Sequence, residues 1–329
     1  SKRSWRKKVK RGVNTPTVSI FVQVYNTAPY LRRCLESVLA LRGPWEREIV
    51  VIDDASRDGC DRILEEFGSS MRVIRHPKNL GANATANEGY AACRGKYLIR
   101  LDSDDSLRPN LLEELLPLLE GNPEVGLAYG DVALMDMQDR ITSPSGTVQR
   151  HGRPAVGDEF FELCAENFIC APATLVRREA LRPLLPVPSE YSFLDWYVTT
   201  GIAHRWKTAF SPAVVADYRV HPENQHKRMV GDGSGEKISM AVLAALWADP
   251  WRSEEKRKVR GRVFGANYLV YADKYYGADY FGRALRCYGK ALWLAPGLLF
   301  RGGGWHRALS CLVAPKWIKN TKRFLHAAR

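Results

Sequence analysis

Nowhere does the chain carry an apolar run approaching the roughly 20 residues needed to span a bilayer. The longest candidate, residues 291–300, is broken by Pro296-Gly297. Its seven cysteines (Cys34, Cys60, Cys93, Cys164, Cys170, Cys287, Cys311) lack the paired spacing of a disulfide framework or a thiolate zinc site. They read as small core residues in a reducing compartment. No Gly-x-Gly-x-x-Gly follows a strand-like run, which argues against a dinucleotide-dependent dehydrogenase. Tyr25-Asn26-Thr27, after the first such run, is not the Gly-rich basic loop of a nucleotidyltransferase. Helix-turn-helix and RNA-binding signatures are missing, so no nucleic-acid partner is expected. A secretory leader is also missing, although a chain that starts at Ser1 leaves earlier residues open. The expectation is a cytoplasmic protein, soluble or peripheral on the cytoplasmic face of the cell membrane.

Acid is absent from both ends. Residues 1–11 hold seven Lys or Arg and residues 301–329 seven more, with no Asp or Glu in either stretch. Those ends account for the formal net charge of +13, and the body of the chain is near neutral. Basic ends suit an anionic membrane surface; a solvated tail is the equal alternative for the first residues. The stretch from Trp305 mixes Trp, Leu, Ile and Phe with Lys and Arg. It suits a helix lying in a membrane interface, and equally a packed terminal helix with a basic face.

The 329 residues suffice for one large domain or two ordinary ones. From Thr17 to Leu119 strand-like runs (Val18 to Val24, Glu48 to Ile52, Met71 to Arg75, Tyr97 to Leu101) alternate with helix-like ones. That alternation predicts a doubly wound, mostly parallel α/β sheet. Strands are also expected at Val125 to Tyr129, Val132 to Asp136 and Ala213 to Val220, with a helix at Leu194 to His204. Ser143 to Gly157 reads as a loop. Residues 229–235 read as a hinge before a helical C-terminal extension, in which Tyr276 to Pro296 resembles one tetratricopeptide-like helix pair. The expected division is a basic tail (1–14), two halves of the α/β domain (15–120 and 121–228) and the helical region (229–329).

Three of the strand-like runs end in polar signatures: Tyr25-Asn26, Asp53-Asp54-Ala55-Ser56 and Asp102-Ser103-Asp104. In a parallel sheet those ends point one way and can converge on one ligand. Paired carboxylates there suit a hard divalent cation bridging to a diphosphate. Alone, an Asp-x-Asp is weak evidence, because acidic turns are common. Between the second and fourth runs lies Asn79-Leu80-Gly81, followed by Asn87-Glu88-Gly89. Its small residues allow close approach, and its amides can pair with groups that need a donor and an acceptor.

With these motifs in order, and with Leu194-Asp195-Trp196 and Tyr218-Arg219-Val220-His221 after them, residues 16–228 resemble a family 2 glycosyltransferase. The resemblance implies the GT-A fold and an inverting transfer from a nucleotide sugar to a hydroxyl of a glycan or lipid-linked acceptor. It places Tyr25, Asn26, Asp53, Asp54, Asn79, Gly81, Asn87, Asp102, Ser103 and Asp104 around the donor. Asp53 or Asp54 would bond the base, with uracil expected. It makes Asp102, Asp104 and His221 ligands of Mn²⁺ or Mg²⁺, and Asp195 the catalytic base. Out of that context, Asp195 reads as a helix-starting acid and His221 as a surface or satisfied core histidine.

The pattern departs from the family at Gln23, where proline is usual, at Leu194, where an acid is common, and at Ala86, where arginine is common. Arg75, Lys78, Arg94 or Arg100 are the candidates to replace the last. The alternative reading is an inactive glycosyltransferase-like module used for nucleotide binding, glycan binding or scaffolding.

Overall fold

The computed structural model describes residues 16–145, 155–191, 194–222, 225–299 and 304–312. The basic tail, the centre of the loop from Ser143 to Gly157 and the end of the chain lie outside the described residues. The first half alternates as expected: β1 (Val18–Val24), α1 (Ala28–Leu39), β2 (Arg47–Asp53), α2 (Cys60–Phe67), β3 (Arg72–Arg75), α3 (Ala82–Ala92) and β4 (Tyr97–Asp102). The second half adds β5 (Ser106–Leu107), α4 (Leu111–Glu120), β6 (Val125–Met135), β7 (Ile141–Ser143), β8 (Val156–Gly157), α5 (Phe160–Ala165), β9 (Thr174–Arg177), α6 (Arg178–Leu181), α7 (Leu194–Ala203) and β10 (Lys207–Arg219). From Gln225 on, every described element is helical: α8 (Gln225–Asp232), α9 (Ser234–Ala248), α10 (Ser253–Gly277), α11 (Phe281–Leu294), α12 (Pro296–Leu299) and α13 (Gly304–Leu312).

The strands form one sheet in the order β3-β2-β1-β4-β9-β6-β10-β5, with β7 paired to β6 and β8 to β10. β1, β2, β3 and β4 run parallel, and β6 is parallel to β10. β9 is antiparallel to both β4 and β6, so it joins the two parallel sets. Crossover helices cover both faces, which explains why β1 is buried along its whole length. Val18, Ile20, Val22 and Val24 face a layer built from α1, α2 and α4. Phe21, between them, faces the layer that contains residues of α3, α5, α7, α9 and α10. The period of two along the strand thus sorts one apolar run into two cores. In α4 the leucines at 111, 112, 115, 116 and 119 are all buried. Each contributes about 1.5–3 kcal/mol relative to exposure.

Three expectations are corrected. The two strands expected over Val125 to Asp136 are one, β6 (Val125–Met135). Residues 229–235 are not a hinge loop: α8 runs to Asp232, and Gly233 in a left-handed conformation (φ 81°) separates it from α9. The C-terminal helix pair is α10 against α11, so its first helix starts at Ser253, well before Tyr276. The two pack through Tyr271, Ala272 and Tyr275 against Phe281, Ala284, Cys287 and Tyr288. Asp273 then bonds Tyr288 and Arg307, tying α13 to the pair. Among the described residues no helix is long and apolar enough to cross a membrane.

Candidate functional site

The ends of β1, β2 and β4 lie side by side, since Val24 is in register with Asp53 and Gln23 with Asp102. The polar residues that follow these strands are therefore brought to one edge of the sheet. Asn26, in a left-handed conformation (φ 51°), ties the first loop to the second. Its N–H donates to Ser56 Oγ at 3.0 Å, and its Oδ1 accepts from the Arg57 N–H at 2.9 Å. Asn26 thus shapes the edge, while the Tyr25 ring beside it is half exposed.

The two aspartates after β2 have different surroundings. Asp54 Oδ1 accepts from the Leu80 N–H (2.7 Å) and lies 2.6 Å from His76 Nδ1; Oδ2 accepts from the Gly81 N–H (2.9 Å). Both its oxygens are engaged within the protein. Asp53 accepts only the Ser56 N–H, at Oδ1 (3.0 Å), so its Oδ2 has no partner among the described residues. Of the pair, Asp53 is the one that can still accept from a ligand. Gly81 (φ 87°) takes a backbone conformation that side chains disfavour, and this lets the Asn79-Leu80-Gly81 turn close over Asp54.

Behind this turn, His76 is buried and sits between two carboxylates, with Nε2 at 2.7 Å from Glu88 Oε2. Burial opposes its charge, but the bonds to Asp54 and Glu88 raise its pKa above the ordinary value. The stability it adds is complete below its unfolded pKa of about 6.5 and is lost as pH rises through the raised folded value. A His76→Gln variant is expected to be less stable by about 2 kcal/mol at pH 6, with the deficit shrinking toward pH 9. Urea unfolding of both proteins across that range checks it; a pH-independent deficit would show that the imidazolium charge contributes nothing.

The asparagines of α3 are likewise engaged within the protein. Asn87 Nδ2 donates to the Val187 carbonyl (2.9 Å) and its Oδ1 accepts the Val187 N–H (2.7 Å). Asn83 Nδ2 donates to the carbonyls of Pro188 and Tyr191. One turn apart on α3, the two amides hold the segment leading to Asp195. Asn79 stays exposed at the edge. Of the cations that could replace the arginine missing at Ala86, Arg94 lies beyond the far end of α3. It pairs there with Glu48 (2.9 Å). Arg100 does reach the carboxylates of the edge, Asp102 and Asp195.

Arg100 was not read from the sequence as the centre of the site, yet it is. Its guanidinium donates to both oxygens of Asp102 (2.9 and 3.1 Å), to Gln23 Oε1 (2.7 Å) and to Asp195 Oδ1. Burial works against its charge; Asp102 and Asp195 outweigh that cost, and its pKa is raised. Burial pushes the Asp102 carboxyl up to about 6, with Arg100 opposing and Asp195 and Asp104 adding to the rise. A charged residue inside the apolar run Leu98-Ile99-Arg100-Leu101 was the signal for this, because a buried guanidinium needs carboxylate partners.

Asp104 and His221 are brought together at the other side of Asp102, with His221 Nε2 2.9 Å from Asp104 Oδ2. Buried Arg219 fixes that approach. Its N–H donates to Asp105 Oδ1 (2.8 Å), its Nε to the Asp104 carbonyl (2.8 Å) and its Nη1 to the Asp136 carbonyl (2.6 Å), and its guanidinium lies 4.3 Å from the Tyr30 ring centroid. Asp105 is structural. Burial, with Asp104 adding, drives its carboxyl well above the ordinary range, opposed by the Arg219 N–H. Ser103 points inward, its Oγ 2.6 Å from Thr27 Oγ1. The expected triad of ligands is thus divided: Asp104 and His221 form a pair, while Asp102 turns to Arg100. Among the described residues no group of three His, Cys, Asp or Glu stands ready to hold a metal by itself. The pair still fits a divalent cation whose other ligands come from a bound phosphate or water.

The model of the family described as Glycosyl transferase family 2 matches residues 19–185, just over half of the chain. An uncharacterized glycosyltransferase of a Nostoc species is 26% identical over 224 residues, covering 64% of this chain and 66% of its own. Across curated relatives from Bacillus subtilis, Nostoc and Mycobacterium bovis, the matched stretch spans 30% to 66% of the relative's length. The fold is also that of two solved structures. Residues 1–349 of Staphylococcus aureus TarS, in complex with UDP-GlcNAc, match with a TM-score of 0.63 and 15% identity, over 85% of this chain and 82% of that one. The mannosyltransferase PcManGT of Pyrobaculum calidifontis, in complex with GDP-Man and Mn²⁺, matches with a TM-score of 0.60 and 18% identity, over 94% and 88%. The sheet and its flanking helices are therefore of the GT-A type, followed here by helices.

Proposed function

We propose that this chain, which belongs to glycosyl transferase family 2, moves one sugar from a nucleoside diphosphate donor, UDP-linked, to a hydroxyl of a glycan or lipid-linked acceptor with inversion at the transferred carbon. The observation that carries the proposal is the convergence of Asp53, Asp102, Asp104, Asp195 and His221 on one edge of the sheet. Tyr25 offers an exposed ring to a base, and Asp53 Oδ2 accepts from the imide N–H of uracil. Asp104 and His221 hold the cation, for which Mn²⁺ suits an imidazole ligand better than Mg²⁺. When bound, that cation neutralises the charge that grows on the departing diphosphate. Asp195 takes the proton of the acceptor hydroxyl as its oxygen attacks in line, opposite the leaving group. A carboxylate is a weak base toward a hydroxyl, and it succeeds when geometry is enforced and proton transfer accompanies bond formation.

Thermal unfolding with a panel of nucleoside diphosphates, each with Mn²⁺ and with EDTA, tests the donor class. UDP with Mn²⁺ at 100 times its dissociation constant is expected to stabilise by about 2.7 kcal/mol. GDP and ADP are expected to do much less. A protein insensitive to every nucleotide would be a degenerate binding module, and the proposal would fail.

The acceptor is proposed to be met at an anionic membrane surface. Residues 253–329 hold sixteen Lys or Arg against four Asp or Glu, and Trp305, Leu309 and Leu312 form an exposed stripe on α13. Co-sedimentation with phosphatidylglycerol vesicles is expected, with little binding to phosphatidylcholine alone. Equal recovery from both lipids, or from neither, would reject the anionic surface.

A further inference from the structure

Building on the function proposed above, we propose that Arg100, braced by Gln23, is the positioning residue that fixes Asp195 against the donor edge of the sheet. Arg100 is in register with Phe21 and Asp102 with Gln23 on the parallel neighbour β1. With Leu98, these alternate positions share the sheet face that α3 and α7 cover. Arg100 therefore rises from the sheet toward the first turn of α7, where Asp195 sits. Its side chain is 11% exposed. The pocket beside the ion pair is lined by Leu98, Leu127 and Val198 together with the hydroxyl-bearing Tyr90, Thr174 and Thr199.

The fork geometry matters. One nitrogen, Nη1, bonds Asp102 Oδ1 and Gln23 Oε1, while Nη2 is shared between Asp102 Oδ2 and Asp195 Oδ1. Asp195 Oδ1 is pinned, which turns its other oxygen to a defined place. Gln23 completes the frame, because its Nε2 donates to the Ala82 carbonyl at 3.0 Å. Ala82 follows Gly81, whose N–H bonds Asp54. An unbroken chain of hydrogen bonds and peptide links thus runs from the donor-side turn through Gln23 and Arg100 to Asp195. The side chain at 23 that departs from the usual proline is the one that makes this link. A lysine at 100 keeps the charge but cannot present two parallel N–H bonds to Asp102 and a third to Asp195.

The test is a cycle of Arg100→Lys, Asp195→Asn and the double variant. It reads UDP release from whichever of UDP-glucose, UDP-galactose and UDP-N-acetylglucosamine the wild type turns over fastest. Arg100→Lys is expected to lower kcat by about 100-fold, the scale of a misplaced reacting group. The donor KM and the UDP-induced thermal shift should stay close to wild type. In the Asp195→Asn background the same change is expected to cost less than about threefold, because the residue it positions is gone. Gln23→Leu repeats the pattern more mildly, at about tenfold, and serves if Arg100→Lys is too unstable to purify. Multiplying losses in the double variant, or an undiminished kcat in Arg100→Lys, would overturn the positioning role alone. Full activity in Asp195→Asn would overturn both this role and the reaction it serves.

Discussion

Asp195→Asn is expected to lower kcat by about 10²–10⁴-fold, the usual range for removing a general base, while UDP with Mn²⁺ still stabilises the protein as in the wild type. The substitution suits the question because it is isosteric. An amide oxygen at the same place still accepts from Arg100, so the guanidinium is not left facing Asp102 alone. What is lost is the capacity to take a proton. Among the described residues Asp195 is bonded only by Arg100, at Oδ1, and its side chain is 30% exposed. The second oxygen can therefore reach a hydroxyl brought by an acceptor. Asp195→Ala is a poorer probe, because it removes a partner of a buried cation and adds a cost of several kcal/mol to the chemistry.

Two outcomes would change the reading. A kcat within a few-fold of wild type would mean that the proton leaves by another route. A loss of the UDP-induced thermal shift would mean that Asp195 holds the donor edge together. The second is the more informative failure, because it would move Asp195 from chemistry to architecture through the same Arg100 contact. Donor KM and thermal shift therefore have to be measured beside kcat.

Much of the fold was legible because its signals are local and redundant. β1, β2, β3, β4 and their helices follow from apolar runs bounded by polar turns, and burial on both faces keeps those runs nearly continuous. β6 was read as two strands because Gly130-Asp131 interrupts the apolar pattern. In the structure a side chain at 130 would collide with Val215 of β10, so Gly130 is what lets the two parallel strands approach. An interruption that looked like a turn is a close contact with a distant strand. β5 and β8 are two residues long and exist by pairing with β10, which leaves no period to read.

The site was legible in its carboxylates and obscure in their partners. That strand-ending acids converge on one edge follows from parallel topology, so the positions of Asp53, Asp102 and Asp104 could be anticipated. Which of Asp53 and Asp54 remains available could not. That depends on His76, Leu80 and Gly81 folding back across 22 to 27 positions, and a lone histidine before Pro77 carries no sign of it. Asn87 carries a second contact that its pattern does not announce. Its place in a familiar pattern suggests a ligand contact, and in the structure its amide also bonds the backbone of Val187, 100 positions away. Arg100 had a readable signal in its apolar neighbours, but its two carboxylate partners come from β4 itself and from α7, and only the register of the sheet brings them to one guanidinium.

Asp104→Ala is expected to abolish the Mn²⁺-dependent part of the UDP thermal shift and to lower kcat/KM by more than about 10³-fold, since a metal contributes several kcal/mol to a departing diphosphate. Structure should survive the change. The Asp104 side chain is bonded to His221, and the bond that anchors this turn, from Arg219 Nε, goes to the Asp104 carbonyl, which alanine retains. Asp105→Ala is the contrasting control. Its carboxylate accepts the buried Arg219 N–H, so its loss is expected to destabilise the fold by about 1–3 kcal/mol. His221→Gln should fall between wild type and Asp104→Ala, because it removes one ligand of the pair and leaves the carboxylate. If Asp104→Ala keeps a full Mn²⁺-dependent shift, the cation is held at Asp102 instead, which requires Arg100 to give up its bidentate bond when the donor arrives. If the wild type shows the same UDP shift in EDTA as in Mn²⁺, Arg100 is the cation that faces the diphosphate edge, and Asp104 and His221 hold no metal.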